Sequence, residues 1–359
     1  MTESVLELRE VRKTFGATVA LDGVDLRLAP GELVTLLGPS GSGKTTLLSI
    51  VAGFESPTAG VVSLRGRDVA GMKPAERDVG MVFQHYALFP HLTVADNVAY
   101  GLRVRRRPRA ERESRVAEVL ELLRLKGYED RYPRQLSGGE QQRVAVGRAL
   151  AYDPQVVLMD EPLGALDRSL RVEMEEEIRR IHRELAPAIL YVTHDQQEAL
   201  ALSDRIAVLH EGRIAGAGSP EELFRRPPNG FVASFFANAN LLPVDSYAIE
   251  SDGMAAVRCA GQVVRAPAPT RPTGSVTLAV RRRSLRRQSC ANGLELRGTV
   301  VEALLLGDER QVTLEVAHVG RIVALLDARD SGDMTPGTTA ELHVPADEAV
   351  LVPEGAGAG

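Results

Sequence analysis

The eight residues GPSGSGKT, from Gly38 to Thr45, constrain the fold of this chain more than any other stretch. They follow an apolar run, Leu33–Leu37, and open a helical pattern that continues to Ala52. Glycines at these positions let successive backbone N–H groups point into one concavity, where the N-terminus of the following helix also favours an anion. This spacing between a strand and a helix is that of a phosphate-binding loop, so the sequence predicts an α/β fold built around a nucleotide.

The side chains of this loop predict how a nucleotide would be held. Lys44 supplies a positive charge for the β- and γ-phosphates of a nucleoside triphosphate, and the hydroxyl of Thr45 is a ligand for Mg²⁺. A glycine turn without a ligand is the alternative, and the flanking strand and helix patterns argue against it. The residues predicted to surround the phosphates are Gly38, Pro39, Ser40, Gly41, Ser42, Gly43, Lys44, Thr45 and Thr46.

Two adjacent acids, Asp160 and Glu161, end the apolar run Val156–Met159. A buried strand would deliver Asp160 to the magnesium ion, and Glu161 would polarise an attacking water as a general base. By itself, such a run is more often a strand that meets a loop. Together with the phosphate-binding loop, it predicts hydrolysis of the nucleotide.

A second pair of adjacent glycines lies in the segment LSGGE, Leu136–Glu140, directly before the helical pattern QQRVAVGRAL. Glycines weaken the first turn of a helix and leave its backbone N–H groups without partners. Such a helix end is a second anion site in a chain that already has one. Two half-sites for one γ-phosphate predict a head-to-tail homodimer, in which Ser137, Gly138 and Gly139 of one copy face the phosphate-binding loop of the other.

Together these motifs resemble the ATP-binding-cassette (ABC) ATPases, and the resemblance covers residues 1 to about 235. It implies ATP and Mg²⁺ as cofactors, with Phe15 stacked on adenine, Gln84 near the metal and the water, and His194 as a switch on the γ-phosphate. Asp167, in the segment GALD, would lie in a loop that crosses the dimer interface. The resemblance thus implies Glu161, His194 and Gln84 as catalytic residues, Thr45, Gln84 and Asp160 as metal ligands, and Ser137, Gly138, Gly139 and Asp167 as contributions of the partner protomer.

Some of these residues have plainer alternatives, and two positions depart from the family's pattern. Phe15 has a core aromatic as its alternative, Gln84 a loop amide, and His194 a structural histidine. Glu140 stands where glutamine is commoner; the helix dipole would favour its carboxylate, which would also repel phosphate. Gly164 stands where serine is common, so one hydrogen bond across the dimer would be missing.

The remaining pattern up to about residue 235 predicts the rest of a nucleotide-binding domain, placed at residues 1–240. Leu6–Val11 and Val24–Leu28 alternate apolar and polar residues, which predicts an antiparallel β layer. Residues 86–150 are predicted to form an inserted helical subdomain. The short apolar runs that predict a mostly parallel sheet buried on both faces are Leu33–Leu37, Val79–Phe83, Val156–Met159, Ala188–Val192 and Arg205–Leu209.

After Phe231–Pro243 the character of the sequence changes. Short segments rich in valine, leucine and threonine are separated by glycine, aspartate and proline, which predicts a small β-barrel. This tail resembles the OB-type TOBE domain of importer ATPases, so residues 241–359 are predicted to be an all-β regulatory domain. His343 stands where that domain often has an aromatic residue.

The tail also decides between classes of ABC ATPase. It implies the ATP-hydrolysing subunit of a bacterial-type importer, which works with two transmembrane permease subunits and a solute-binding protein. The segments DEPLGALD and NANLLP look most like the polyamine (spermidine/putrescine) branch, with ferric-iron, oxyanion and sugar importers as alternatives. A soluble ABC ATPase that acts on nucleic acid or ribosomes is a more distant alternative, because the chain has one phosphate-binding loop and no sustained heptad run.

Composition and charge bear on partners and location. The net charge of −5 argues against a nucleic-acid binder, and Arg103–Arg109 and Arg281–Arg287 are expected to be solvated surface. Cys259 and Cys290 fit no zinc or redox motif, and no set of histidines has metal-ligand spacing. The N-terminus lacks the apolar core of a signal peptide, and no run of about 18 uncharged apolar residues occurs. The chain is therefore expected at the cytoplasmic face of the cell membrane, held there peripherally through its partners.

Overall fold

The computed structural model describes residues 4–250, 253–268, 274–290, 292–330, 332 and 334–355. The chain divides into two compact units, Met1–Pro220 and Glu221–Gly359. This division lies about 20 residues before the boundary predicted near residue 240, because two short helices group with the second unit. The domain limits 1–240 and 241–359 therefore stay a prediction.

The first unit begins with two long strands and ends with a hairpin. Its strands are β1 (Leu6–Phe15), β2 (Thr18–Leu28), β3 (Leu33–Leu37), β4 (Ala59–Leu64), β5 (Arg67–Asp68), β6 (Val79–Val82), β7 (Val156–Asp160), β8 (Ile189–Thr193), β9 (Arg205–His210) and β10 (Arg213–Gly218). Its helices are α1 (Lys44–Ala52), α2 (Val94–Val104), α3 (Arg109–Leu122), α4 (Gly138–Leu150), α5 (Arg168–Leu185) and α6 (Gln196–Leu202).

The main sheet has the strand order β10-β9-β3-β8-β7-β6. Its neighbours from β9 to β6 are parallel, and β10 is antiparallel to β9. Every residue of β3 and β8 is buried, because successive side chains enter opposite cores. Leu190 and Val192 pack with the apolar face of α1, whereas Ile189 and Tyr191 pack with α4 and α5. The predicted parallel sheet buried on both faces is confirmed.

A second, antiparallel sheet has the order β2-β1-β4-β5. Leu6 lies opposite Leu28 and Leu8 opposite Leu26, so the alternating apolar residues of both strands enter one core. The predicted antiparallel layer is confirmed. The sequence analysis did not include β4, which pairs with the other edge of β1.

The helices α2, α3 and α4 fall within the range predicted for a helical subdomain. Gly147 of α4 lies so close to α3 that a Cβ there would be 2.6 Å from a methyl group of Leu123 and 3.1 Å from one of Val119. The glycine therefore sets the close approach of these helices. The exact limits 86–150 stay a prediction. In the described part of the chain, no helix is both long and apolar enough to cross a membrane.

The second unit is mostly β-structure, as predicted. Helix α7 (Pro220–Arg225) starts at the last residue of the first unit and is followed by α8 (Gly230–Phe235). The strands are β11 (Ala239–Pro243), β12 (Ser246–Ile249), β13 (Met254–Cys259), β14 (Gln262–Pro267), β15 (Val276–Arg281), β16 (Leu294–Leu306), β17 (Glu309–Val316), β18 (Gly320–Asp327), β19 (Thr339–Val344) and β20 (Ala349–Pro353).

These strands form sheets with the orders β11-β15-β20, β12-β13-β14 and β18-β17-β16-β19. One apolar core takes residues from all three sheets, among them Leu242, Val257, Leu278 and Leu314. The alternation of buried and exposed residues along β16, from Leu294 to Gly298, is that of a strand with one face in this core. The predicted all-β C-terminal domain is confirmed.

Candidate functional site

The phosphate-binding loop is held in place by close backbone contacts. A Cβ on Gly38 would lie 2.3 Å from the carbonyl oxygen of Leu209 and 2.7 Å from Oγ of Ser42. Gly43 has a φ of 106°, a conformation that favours glycine, and its Cβ would meet the carbonyl oxygen of Ala20 at 2.5 Å. The loop between β3 and α1 therefore accepts only glycine at these two positions.

Lys44 is the first residue of α1 and only 5% exposed. Its Nζ donates to the carbonyl oxygens of Gly38 at 2.7 Å and Pro39 at 2.9 Å. Burial lowers the pKa of Lys44, and the charges of Glu161 and Asp160 act to raise it again. The ammonium group thus lies in the field of both predicted acids, as the paired motifs require.

The strand β7 places the two acids, Asp160 at its last residue and Glu161 directly after it. Asp160 ends this strand, and burial raises its pKa; Glu161 adds to that shift and Lys44 opposes it. Glu161 has a φ of 42°, a left-handed conformation that costs about 1–3 kcal/mol in a residue other than glycine. Its backbone N–H donates to the carbonyl of Val192 at 2.9 Å, which holds the turn against β8.

Gln84, Glu161 and His194 come together at the carboxyl ends of three neighbouring strands. Gln84 Nε2 donates to Glu161 Oε2 at 3.3 Å, and His194 Nδ1 lies 3.1 Å from Glu161 Oε1. These side chains follow β6, β7 and β8, whose carboxyl ends share one edge of the sheet. The His194 side chain is 58% exposed, so it is not a buried structural histidine. The structure assembles the predicted catalytic set from three separate loops.

The signature helix α4 begins with a reciprocal cap. Ser137 Oγ accepts from the backbone N–H of Glu140 at 3.3 Å, and Glu140 Oε2 accepts from the backbone N–H of Ser137 at 2.7 Å. Among residues 4–220, the backbone N–H groups of Gly138 and Gly139 have no hydrogen-bond partner. The unusual Glu140 therefore completes the cap, and two N–H donors of the first turn remain.

The loop before α5 lies beside the signature helix. Asp167 Oδ1 caps α5 by accepting from the N–H of Leu170 at 2.9 Å and the hydroxyl of Ser169 at 2.7 Å. These hydrogen bonds lower the pKa of Asp167. A Cβ on Gly139 would lie 2.7 Å from a methyl group of Leu170, so the two predicted interface elements pack together. Within residues 4–220, no hydrogen bond or ion pair joins Ser137 to the set around Glu161.

Phe15, at the end of β1, is 48% exposed and is not a core aromatic. The Nζ of Lys13 lies 4.7 Å from its ring centroid, a cation–π contact on one part of the ring. Thr45 is exposed and Thr46 partly exposed in the first turn of α1. Their roles, like that of Phe15, stay predictions.

Arg171 is a residue of the site that the sequence analysis missed. Its guanidinium donates to Asp195 Oδ2 at 3.2 Å and to the carbonyl of Leu166 at 3.4 Å, and it lies 3.9 Å from Glu198 Oε1. It therefore joins the loop that ends in Asp167 to the loop that carries His194. The only sequence signal is its position one helical turn after Asp167.

Two further residues that were missed hold the segment after Gln84. Arg148 donates to the carbonyl oxygens of Ala87 at 2.6 Å and Tyr86 at 3.0 Å, and both of these residues have positive φ. The amide of the buried Asn97 bonds the backbone N–H and carbonyl of Phe89. Side chains from α2 and α4 thus fix the backbone of the segment that follows Gln84.

The chain is similar to many known proteins. Residues 21–164 match the profile described as ABC transporter, and residues 275–352 match that of the TOBE domain. It is 47% identical over 308 residues to the Fe(3+) ions import ATP-binding protein FbpC of Brucella abortus (strain 2308), covering 86% of this chain and 87% of that protein. It is 46% identical over 327 residues to the spermidine/putrescine import ATP-binding protein PotA of Thermobifida fusca (strain YX), covering 89% and 85%.

A sulfate/thiosulfate import ATP-binding protein CysA, from Nocardia farcinica (strain IFM 10152), is 51% identical over 234 residues, covering 65% of this chain and 71% of that protein. Among solved structures, the chain resembles the dimeric ABC transporter cassette MJ0796 with a TM-score of 0.53 and 33% identity, covering 60% of this chain and 98% of that one. A post-hydrolysis state of the same cassette, bound to ADP and Pi, matches equally well.

Fold and site together define a phosphate-loop ATPase of the ATP-binding-cassette class. The chain belongs to the ATP-binding subunits of bacterial ABC importers that carry a C-terminal TOBE domain. The predicted family and the predicted nucleotide, ATP, are confirmed. The polyamine branch is not singled out, since relatives named for ferric iron, polyamines and sulfate have comparable identity.

Proposed function

We propose that two copies of this chain hydrolyse ATP at composite sites and thereby drive the import of a small solute. The observation that carries the proposal is the contact of Glu161 with both Gln84 and His194, at 3.3 and 3.1 Å. A carboxylate held from two sides can orient and polarise a water molecule for attack on the γ-phosphate. Because His194 Nδ1 faces Glu161, its Nε2 is the ring nitrogen left to contact that phosphate.

The donor set beside Glu161 fits Mg²⁺. The Thr45 hydroxyl, the Asp160 carboxylate and the Gln84 amide oxygen are hard oxygen ligands of the kind that Mg²⁺ prefers. Gln84 turns its Nε2 toward Glu161, which leaves the amide oxygen for the metal. When bound with ATP, the ion would offset charge on the β- and γ-phosphates. Lys44 supplies a further positive charge from the first turn of α1.

The second half of each site is proposed to come from the partner copy. The N–H groups of Gly138 and Gly139, which have no partner within residues 4–220, lie at the positive end of α4 and suit a phosphate oxygen. Ser137 Oγ accepts from the backbone N–H of Glu140, and rotation of the hydroxyl would aim its proton at the γ-phosphate of ATP bound to the partner copy. Asp167 lies beside this helix end and would cross the same interface.

Complementation between two inactive variants tests the shared site. Ser137→Arg and Lys44→Ala should each abolish hydrolysis as homodimers. In their heterodimer, one shared site keeps both an intact Lys44 and an intact Ser137, so an equimolar mixture should recover activity, up to about a quarter of the wild-type value for a closed two-fold dimer. No recovery in that mixture, which is the result expected for a site built within one chain, or full activity of a monomer would refute the shared site.

The transport partners are proposed from the same family. The chain would associate with two permease subunits at the cytoplasmic face of the membrane, supplied by a solute-binding protein. The segment after Gln84, HYALFPHLT, is suited to contact a permease, because Arg148 and Asn97 fix its backbone from within the fold. Movement of the two copies would thus pass directly to the permeases.

We propose a polyamine as the solute. Support comes from the segments DEPLGALD and NANLLP and from the PotA relative, which covers 89% of this chain. Uptake of labelled spermidine, putrescine, ferric iron and sulfate should be measured in a strain that lacks this chain, with the wild type or Glu161→Gln supplied in trans. Polyamine uptake should require the wild type. Restoration of ferric-iron or sulfate uptake alone would assign the solute to those importers instead, without affecting the ATPase proposal.

A further inference from the structure

A cluster of potential metal ligands lies in the second unit and includes none of the site residues assigned above. Glu295, Glu341 and His343 each offer a ligand atom, and these atoms all lie within 4.8 Å of one another. His343 Nε2 is 3.0 Å from Glu341 Oε1. The spacing of histidines in the sequence indicated no such site, because the ligands come from two different strands.

The strand register explains why these three side chains meet. Glu295 of β16 lies directly opposite His343 of β19, and Glu341 precedes His343 by two residues, so all three lie on one face of the sheet. The backbone groups of His343 bond Arg286, on the side away from β16. Glu295 and His343 are therefore a non-hydrogen-bonded antiparallel pair, the kind in which opposite side chains approach most closely.

Both strands are held from outside at the level of the cluster. The Gln262 amide donates to the carbonyl of Glu295 at 2.6 Å and accepts from its N–H at 3.1 Å. On the other side, Arg286 and His343 exchange two backbone hydrogen bonds of 2.9 and 2.7 Å. The backbone positions of two of the three ligands are thus set before any ion arrives, which reduces the ordering that binding requires.

No arginine among the described residues forms an ion pair with Glu295 or Glu341. Arg297 lies opposite Glu341 in the register, yet within the described residues its side chain forms no ion pair or hydrogen bond. Arg286 pairs with Glu348 instead. The His343 side chain is only 9% exposed, whereas that of Glu341 is 47% exposed. The cluster thus combines one nearly buried imidazole with two solvent-facing carboxylates.

We propose that Glu295, Glu341 and His343 bind one divalent transition-metal ion of the Zn²⁺, Mn²⁺ or Fe²⁺ class. One imidazole and two carboxylates suit these ions, and the remaining positions would be filled by water. Ligand atoms around a tetrahedral Zn²⁺ ion lie about 3.3–3.6 Å apart, given bond lengths of about 2.0–2.2 Å. The present separations, all within 4.8 Å, would adjust to this range through rotation of the two exposed glutamate side chains.

Zn²⁺ binding to the untagged, chelator-treated full chain tests the site. Equilibrium dialysis with saturating Mg²⁺ and ADP should show one more Zn²⁺ bound by the wild type than by Glu295→Gln/Glu341→Gln. Affinity at this site should fall more than about 100-fold in that variant, beyond the loss seen when only an outer-shell partner is removed. The two glutamates are exposed, so the double variant should fold. A His343→Gln variant would instead alter a nearly buried side chain and could fail to fold.

A matched control uses a histidine and a glutamate from the same unit. His318→Gln/Glu315→Gln changes an exposed histidine and an exposed glutamate outside the cluster and should leave Zn²⁺ binding intact. Co²⁺ in place of Zn²⁺ reports the ligands, since a thiolate would add a sulfur-to-metal charge-transfer band. Equal Zn²⁺ binding by the wild type and the Glu295→Gln/Glu341→Gln variant, equal loss in the control, or a thiolate band from Cys259 or Cys290 would each overturn the proposal.

Discussion

The two halves of the proposed nucleotide site differ in how their polar groups are satisfied. In the phosphate-loop half, Lys44 bonds two carbonyl oxygens of its own loop, and Glu161 is held by Gln84 and His194. In the signature half, the N–H groups of Gly138 and Gly139 at the start of α4 lack partners in residues 4–220, whereas that of Glu140 bonds Ser137. One half is assembled by the fold of a single chain. The signature half has N–H donors without partners, and it acts only when a nucleotide bound by a second copy lies against it.

The largest effect on turnover is expected from a substitution in the phosphate-loop half. Glu161→Gln removes the proposed general base while keeping the size of the side chain, so turnover should fall roughly 10²–10⁴-fold. ATP affinity, measured by calorimetry with Mg·ATP, should stay close to that of the wild type. Glu176→Gln on the exposed face of α5 is the control and should hydrolyse ATP normally. Near-normal hydrolysis by Glu161→Gln would remove this residue from the role.

A smaller effect on turnover is expected from a substitution in the signature half. Ser137→Gly removes the hydroxyl, yet glycine is itself an acceptable N-cap. The free energy of unfolding should therefore fall by only about 0.3 kcal/mol. Turnover should fall about 10- to 100-fold, which is the effect of losing one hydrogen bond to a charged group. Steady-state kinetics and thermal unfolding separate the two outcomes. If the losses of activity and of stability are equally small, the hydroxyl serves only as a cap.

Arg171 joins the loop that ends in Asp167 to the loop that carries His194, so its removal should lower turnover by a still smaller factor. Arg171→Ala breaks the contacts of one guanidinium with Leu166 and Asp195, and kcat should fall about tenfold, or about 1.4 kcal/mol in the barrier. The KM for ATP should change little, because Arg171 does not contact the phosphate loop. Arg183→Ala, on the exposed last turn of α5, is the matched control. A change confined to KM would contradict the positioning role.

The smallest effect is expected at Glu140. Although burial acts to raise it, the hydrogen bonds from Ser137 lower the pKa of Glu140 overall. The stabilisation is therefore present above the unfolded pKa of about 4.3 and is lost as the pH falls through the lower folded value. Glu140→Gln keeps a capping side chain but loses the charge, which should cost about 0.3–1 kcal/mol at neutral pH. Denaturant unfolding of both proteins at several pH values should show this difference disappear in acid.

The elements that the sequence predicted best are continuous and short. Gly38–Thr45, the acid pair at Asp160 and the strands β3, β7 and β8 each lie in one run of residues, where local pattern and steric demands act directly. The strand β4 was missed, because its exposed glycine-containing start weakens the alternation on which strand prediction depends. The division of the chain at residue 220 was also not foreseen, since packing decides it.

By itself, the sequence determined the class of fold, the phosphate loop, the catalytic residues to be expected and the all-β character of the tail. Only the tertiary structure decided that Glu161 contacts both Gln84 and His194, that Arg171 joins two loops, and that the Glu295, Glu341 and His343 side chains meet. The physical reason is range. Backbone sterics and hydrophobic periodicity act between neighbours in the chain, whereas these contacts depend on strand order and register, which bring distant residues to one edge or face of a sheet.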